Sequence, residues 1–232
     1  MIYIGLDDTD NKTSRGTGRL AREIAGLLST RYKVRGITRH QLLVDPRVPY
    51  TSHNSSATLH LMEDGDVDLN TLADEVQAAM LADFQDGSDP GLCVARTVAP
   101  EMTDFGRRAK TDVVRQSEAH QIANRCNCIL RGLGGTQDGV IGALASIGLA
   151  GTGNDGRFIW IGTARQLQGV QRVQAILGSG VAAVRSMEGQ ELENGLVDTG
   201  GRLRPAFREG LPILFVTRKQ DDPSLWIPVK LD

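Results

Sequence analysis

The sequence predicts an α/β arrangement in its first half, followed by an α+β arrangement in its second half. In the first half, short apolar runs alternate with amphipathic segments of helical period. The second half opens as strand, helix and strand, and continues as several short strands. Apolar residues make up 40% of the 232 residues and charged residues 23%. These are the proportions of an ordered globular protein.

The elements of the first half follow from local patterns. Residues 1–7 form an apolar run typical of a buried strand. A helix is predicted over residues 19–31, because Leu20, Ile24 and Leu28 recur on one stripe. The remaining predictions are strands at 33–45, 56–63 and 92–98, and helices at 69–82, 103–114 and 116–125.

The second half has the pattern of a ferredoxin-like α+β domain. Strands are predicted at 127–131, 157–161, 181–187, 195–198, 202–205 and 212–217, and helices at 138–149 and 170–178. We therefore predict two domains, spanning 1–117 and 118–232.

Charge and composition exclude several classes of protein. A net charge of −2 gives no overall basic field, so a nucleic-acid partner would have to meet a local patch. The first residues lack the basic start of a signal peptide, and no apolar run approaches the ~20 residues that span a bilayer. Three cysteines lack the paired spacing of a zinc site. The sequence predicts a cytoplasmic protein without a membrane partner.

The acidic run Asp7, Asp8 and Asp10 is the first candidate site. These carboxylates follow an apolar strand, and carboxylates so close repel one another unless a cation neutralises them. Mg²⁺ takes oxygen ligands of this kind, together with phosphate oxygens. The alternative is an acidic turn in which Asp10 or Thr9 caps the following loop.

A glycine turn directly before the predicted helix is the second candidate. Gly16 and Gly18 would let backbone N–H groups approach a phosphate, and Arg15 adds a cation. Thr17, between the glycines, could bind phosphate, ligate the metal or accept a phosphoryl group; capping of the helix is the alternative. The turn lacks the Gly-Lys-Ser/Thr ending of a Walker A motif. Together, the carboxylates and the glycine turn predict an ATP- and Mg²⁺-dependent site in which Thr9 also contacts the nucleotide.

Five further residues are weaker candidates. His53 and Asn54 lie in a long polar loop and could contact the nucleotide. Gly135, in a glycine-rich run, and Asp138 and Asp198 could bind a substrate amine or guanidinium. The alternatives are an exposed loop histidine, a tight strand-to-helix turn and ordinary surface aspartates.

At these residues the sequence resembles the tRNA(Ile) 2-agmatinylcytidine synthetase family. Asp7 to Asp10 lie in the family's G-[IL]-D-D-T-D opening, and the spacing places Thr17 on its phosphoryl-accepting threonine. The helix motif of the family has its counterpart in GVIGALASIG at 139–148. Weaker similarities are VPY at 48–50, DPG at 89–91, DVV at 112–114, VD at 197–198, GR at 201–202 and PILF at 212–215.

The resemblance implies an atypical kinase-like domain followed by a ferredoxin-like domain. In the family, ATP activates the C2 oxygen of a tRNA cytidine by phosphorylation, and agmatine then displaces the phosphate. The implied ligands are ATP, Mg²⁺ and a small amine such as agmatine.

The sequence departs from the family at three places. The OB-fold and zinc ribbon of the family would begin where this sequence ends, so we expect tRNA binding by this chain alone to be weak. The basic loop K-T-R-G-N is replaced by TSHNS at 51–55, and Gly16 stands where the family has cysteine. The leading hypothesis is an ATP-dependent enzyme that activates an oxygen for attack by an amine. The alternatives are a non-catalytic module that binds nucleotide or agmatine, and an accessory subunit of an RNA-modifying complex.

Overall fold

A computed structural model describes residues 1–11, 16–48 and 53–231. The chain divides into two compact units, Met1–Thr152 and Gly153–Asp232. No helix in the described part of the chain is long and apolar enough to cross a membrane. The α/β and α+β class predicted from the sequence is confirmed.

The first unit contains five strands and five helices among its described residues. They are β1 (Ile2–Asp7), α1 (Thr17–Leu28), β2 (Val34–Gln41), β3 (Ser55–Leu61), α2 (Leu69–Ala82), β4 (Gly91–Ala95), α3 (Pro100–Thr111), α4 (Gln116–Arg125), β5 (Ile129–Gly132) and α5 (Gly139–Gly151).

The strands of this unit lie in the order β5-β4-β1-β3-β2, and all neighbours are antiparallel. The segment β1-α1-β2-β3-α2-β4 therefore consists of two interlocked split βαβ units, which is the ferredoxin-like connectivity. β5 extends the sheet beside β4.

Helices cover both faces of this sheet. Ile2, Ile4 and Leu6 of β1 are fully buried on one face, and α1 and α2 pack on the same sheet. Gly5, on the opposite face, meets the backbone of α5. Helix α5 is buried on nearly all sides, because α3 and α4 pack around it and enclose a second core.

Glycines allow α5 to approach its neighbours at backbone distance. A Cβ on Gly91 of β4 would lie 2.0 Å from the Gly139 carbonyl carbon, and one on Gly5 would lie 2.1 Å from the Ala143 oxygen. On the outer side of α5, a Cβ on Gly148 would lie 1.9 Å from the Met102 oxygen. Any larger residue at these positions would force the helix away from the sheet or from α3.

The second unit contains one short α-helix, one turn of 3₁₀ helix at Ala164–Gln166 and seven strands among its described residues. They are β6 (Arg157–Trp160), β7 (Val170–Arg172), α6 (Val173–Leu177), β8 (Ala183–Ser186), β9 (Leu196–Asp198), β10 (Ala206–Arg208), β11 (Leu211–Arg218) and β12 (Leu225–Pro228). The order is β6-β10-β11-β12-β9-β7, and β8 pairs in parallel with β11.

Two features of the predicted organisation differ from the structure. We predicted a boundary at 117/118, whereas α4, β5 and α5 pack within the first unit and the division falls after Thr152. The ferredoxin-like connectivity, which we predicted for the second domain, occurs in β1 to β4 of the first unit. The kinase-like designation of residues 1–117 stays a prediction.

Two local predictions in the second half are wrong. The strand predicted at 202–205 lies at Ala206–Arg208 instead. Gly200 and Gly201 have positive φ, and Pro205 has no N–H to donate, although its carbonyl accepts a bond from Phe158. The predicted helix at 170–178 is a helix only from Val173, because Val170–Arg172 pair with β9.

Two helical glycines test the packing of α5. We expect Gly148→Ala to destabilise the protein by more than about 2 kcal/mol, because the new methyl group collides with the Met102 carbonyl. Gly26→Ala in α1 is the matched control: nothing lies within 4 Å of its new Cβ, and it should stabilise by about 0.5–1 kcal/mol. Urea unfolding would measure both, and equal effects would contradict the packing described.

Candidate functional site

A cavity of about 340 Å³ opens in the first unit at the carboxyl end of β1. Its volume is within the range of small-molecule sites, about 300–1,000 Å³. Its lining combines acidic side chains with apolar ones. The lining residues are Asp7, Asp8, Asp10, Thr17, Leu42, Leu43, Arg47, Val48, His53, Asn54, Ser55, Ala109, Asp112, Val113, Val114, Arg115, Gln116, Asp138, Gly139, Ile141 and Gly142.

The acidic wall begins where β1 ends. Asp7 is the last residue of the strand, and Asp8 has a φ of 48°, which turns the chain sharply away from the sheet. The Asp7 carboxylate lies against Gly142 in the first turn of α5: a Cβ there would be 1.8 Å from Asp7 Oδ2. The acidic turn and the beginning of α5 therefore form one continuous wall.

The pKa values of the two carboxyl groups are strongly raised. Burial, followed by the charge of Asp8, raises the pKa of Asp7 to about 8. Burial, and then the charges of Asp89, Asp10 and Asp138, raises the pKa of Asp8 to about 6. The positive end of α5 should favour an ionised Asp7 by about 0.3–1 kcal/mol. Each unit of the rise in pKa corresponds to about 1.4 kcal/mol, so the helix contributes less than burial does. Burial therefore determines that the pKa of Asp7 is raised.

Thr17 is the first residue of α1, and its hydroxyl is hydrogen-bonded on two sides. It donates to Asp10 Oδ1 at 3.3 Å and accepts a bond from the buried Thr9 hydroxyl at 3.1 Å. The N-cap is Gly16, with a φ of 63°, and α1 has no side-chain cap. Thr17 therefore does not cap the helix, which excludes that alternative.

Two helix N-termini face the cavity. Thr17 begins α1, while Gly139 and Gly142 lie in the first turn of α5, and neither helix has a side-chain hydrogen bond at its cap. The first N–H groups of a helix lack intrahelical acceptors and favour anions. In α5 these groups are already used, because the N–H of Gly139 donates to the Asp89 carbonyl and those of the next two residues donate to the carbonyls of residues 137 and 138. The end of α1 is therefore the candidate anion site of the two.

The structure brings most of the predicted site residues together. Asp7, Asp8, Asp10, Thr17, His53, Asn54 and Asp138 line the one cavity. Asn54 also joins two loops, since its Nδ2 donates to the Leu43 carbonyl at 2.7 Å.

The other predicted residues lie elsewhere. Thr9 and Gly16 line a small adjacent hollow, and Gly18 is within α1. Gly135 packs against Asp89. Asp198 belongs to the second unit, where its Oδ2 accepts a hydrogen bond of 2.6 Å from Lys219. Arg15 lies outside the described residues.

Sequence reasoning missed two groups of residues at or beside this cavity. Asp89 is close enough to raise the pKa of Asp8, and its only signal was the DPG turn at 89–91. Gly139 and Gly142 bring the first turn of α5 to Asp7, and their signal was the glycine spacing of the motif at 139–148.

A metal site with three protein ligands is absent from residues 1–11, 16–48 and 53–231: no three His, Cys, Asp or Glu side chains there are placed to hold an ion. The donor chemistry still suits a hard divalent cation, because Asp7 and Asp8 repel one another. Mg²⁺ commonly takes one or two carboxylates and completes its coordination with water and phosphate oxygens.

The chain shares its fold with solved tRNA-modifying proteins. Apo TiaS, tRNA(Ile2) agmatidine synthetase, matches with a TM-score of 0.54 and 22% identity over 63% of this chain and 35% of that chain. The TiaS–tRNA(Ile2)–ATP complex matches with a TM-score of 0.55 and 24% identity over 63% of this chain and 36% of that chain. A tRNA fluorescent labeling enzyme matches with a TM-score of 0.55 and 24% identity over 63% of this chain and 35% of that chain.

These likenesses show a common fold. The chain spans about a third of the length of the solved structures it matches. No protein-family model matches the sequence, and no curated protein matches it.

The raised pKa of Asp7 predicts a distinctive pH dependence of stability. Between its ordinary value near 4 and about 8, the unfolded chain has lost this proton and the folded chain retains it, so stability falls as pH rises. Asp7→Asn imitates the protonated form. We expect this variant to melt at a higher temperature than wild type at pH 8 in a chelating buffer, with the difference shrinking towards pH 4. A lower melting temperature for the variant at pH 8 would contradict the pKa assignment.

Proposed function

We propose that this chain is an ATP- and Mg²⁺-dependent phosphoryl-transfer enzyme that activates an acceptor oxygen for attack by an amine. The observation that carries the proposal is the convergence at one cavity of the N-terminus of α1, which has no side-chain cap, and a cluster of carboxylates. Phosphoryl transfer requires positioned donors for phosphate, a cation and an aligned acceptor, and little other chemistry from the protein.

The phosphates of ATP would lie at the N-terminus of α1, where Gly16, Thr17 and Gly18 would present their N–H groups. His53 and Asn54, on the cavity wall, would contact the nucleotide.

One or two of the carboxylates of Asp7, Asp8 and Asp10 would hold Mg²⁺, and phosphate oxygens and water would complete its coordination. When bound, the ion supplies charge neutralisation for both the carboxylates and the phosphates. The cluster suits this role because burial and mutual repulsion raise the pKa of Asp7 and of Asp8, and a cation would stabilise their ionised forms.

Thr17 would carry the phosphoryl group. Its oxygen attacks the γ-phosphorus while its proton moves to Asp10, 3.3 Å away, and the bond between that phosphorus and the ADP oxygen breaks. ADP leaves. An acceptor oxygen then takes the phosphoryl group from Thr17, and Asp10 returns the proton to the threonine oxygen.

The fold likeness supports the choice of acceptor and amine. TiaS has been solved with tRNA(Ile2) and ATP, and with AMPCPP and agmatine. We infer an RNA base oxygen as acceptor and an agmatine-like amine as nucleophile, acting in the cytoplasm. Asp138 lines the cavity and would pair with the cationic end of the amine. With a net charge of −2, RNA binding by this chain alone should be weak and sensitive to salt.

Incubation with γ-labelled ATP tests the proposal, and variants of Thr17 sharpen it. Wild type should release ADP and carry the label on Thr17, and this turnover should stop when Mg²⁺ is chelated. Thr17→Ser keeps the hydroxyl and should keep measurable turnover. Thr17→Ala should lower turnover at least about a hundredfold, yet bind ATP within about threefold of wild type, because the backbone N–H groups remain.

Two outcomes would contradict this account. ATP binding by wild type without any turnover would favour the non-catalytic nucleotide-binding module. Turnover by Thr17→Ala close to that of wild type, with no label on the wild-type threonine, would remove the covalent step. Thr30→Ala, at an exposed position after α1, is the control for a general effect of losing a threonine.

A further inference from the structure

The three cysteines of the chain lie close together on one side of the first unit. Cys93 is in the middle of β4 and is fully buried, within the core that surrounds α5. Cys126 ends α4 and Cys128 directly precedes β5; both are partly exposed and pack against that core. All three are free thiols. The proposed phosphoryl transfer uses none of them, because none lines the cavity.

The pairing of β4 with β5 brings Cys93 and Cys128 together. Cys93 is opposite Leu130, and Val94 is opposite Ile129. Alternate residues of a strand face the same side, so Cys128, two residues before Leu130, is placed on the side of Cys93. The two sulfur atoms are 3.9 Å apart, and the Cys93 thiol donates a hydrogen bond to Cys128 Sγ.

The turn between α4 and β5 holds Cys128 in this place. Asn127 has a φ of 51°, the left-handed conformation in which many helices end. The Asn127 N–H donates to the Asn124 carbonyl at 3.4 Å, and the Cys128 N–H donates to the Ala123 carbonyl at 3.1 Å. These two bonds are those of a Schellman motif. Cys128 is therefore fixed at the beginning of β5 while it stays partly exposed.

The hydrogen bond between the sulfur atoms gives the thiols different acidities. It lowers the pKa of Cys128, because the Cys93 thiol stabilises the Cys128 thiolate, although burial opposes this effect. Burial, followed by the same hydrogen bond, raises the pKa of Cys93 well above its ordinary value. Burial, and then the charges of Cys128 and Glu101, raise the pKa of Cys126. Because the thiolate is the nucleophilic form, Cys128 is the cysteine best suited to react.

We propose that Cys93 and Cys128 form a redox-sensitive pair that hydroperoxides oxidise to a disulfide. The Cys128 sulfur attacks one peroxide oxygen: an S–O bond forms, the O–O bond breaks, and the other oxygen leaves and takes up a proton. Cys128 is then a sulfenic acid, oxidised by two electrons. The Cys93 sulfur next attacks the Cys128 sulfur, and the hydroxyl group leaves as water with the Cys93 proton. The sulfur atoms approach from 3.9 Å to about 2.0 Å in this step.

Two observations favour a redox pair over a metal site or inert core thiols. No three His, Cys, Asp or Glu side chains among residues 1–11, 16–48 and 53–231 are placed to hold an ion. Inert thiols would both be buried, whereas Cys128 is partly exposed and can meet a small oxidant. The pair lies outside the cavity, so this inference does not depend on the proposed function.

Oxidation of the full chain with hydrogen peroxide tests the proposal. After the remaining thiols are alkylated, peptide mass spectrometry should find a disulfide between Cys93 and Cys128, which a thiol reductant reverses. Cys128→Ser should form no intramolecular disulfide. Cys126→Ser is the matched control, and it should form the same disulfide at a rate within about twofold of wild type.

Alkylation rates test the role of the hydrogen bond. At pH 7, iodoacetamide should modify Cys128 of wild type at least about fivefold faster than Cys126. Cys93→Ala removes the donor and should slow the alkylation of Cys128 about fivefold, whereas Cys93→Ser keeps a donor and should stay within about twofold of wild type. Melting temperatures identify any variant that fails to fold, and the comparison of Cys128 with Cys126 in wild type needs no variant.

Three results would overturn the inference in different ways. A disulfide between Cys126 and Cys128, or oxidation chiefly at Cys126, would show that the wrong pair has been assigned. Wild type that keeps three free thiols in hydrogen peroxide would remove the redox role altogether. Equal alkylation rates at Cys126 and Cys128 of wild type would show that the Cys93 thiol does not activate Cys128.

Discussion

The contact between α5 and the strands β1 and β4 is the constraint on which the first unit depends. Gly5 and Gly91 have no side chain on the face of the sheet that meets α5, and Gly139 has none on the helix. The two backbones therefore meet without side chains between them. This approach buries α5 and lets α3 and α4 close over it. It also brings the first turn of α5 to the end of β1, which is where the acidic residues lie.

The same contact sets the electrostatics of the cavity. Because Gly142 has no side chain, the Asp7 carboxylate lies directly against the helix and is removed from water. Its pKa rises to about 8, and that of Asp8 to about 6, despite the positive potential of the helix end. Burial therefore disfavours the ionised form of both groups, and a bound cation would stabilise it. Functional sites commonly retain such costs for this reason.

Local patterns in the sequence predicted much of the first unit. The limits of α2, 69–82, were predicted because its apolar stripe is regular, and in the structure Asp68 caps its beginning. The acidic run and the glycine turn were recognised because they are contiguous. Asp89 was not assigned to the site, since its approach to Asp8 depends on how β1 pairs with β4 across about 80 residues. The helix α5 is apolar all round, so its sequence could not show which domain it packs in.

A structure of the full chain with Mg²⁺ and a non-hydrolysable ATP analogue tests the central claim most directly. The account predicts the phosphates at the N-terminus of α1, the cation beside Asp8, and the γ-phosphorus within reach of the Thr17 hydroxyl. Phosphates bound away from the end of α1, or a cation that contacts none of Asp7, Asp8 and Asp10, would contradict it.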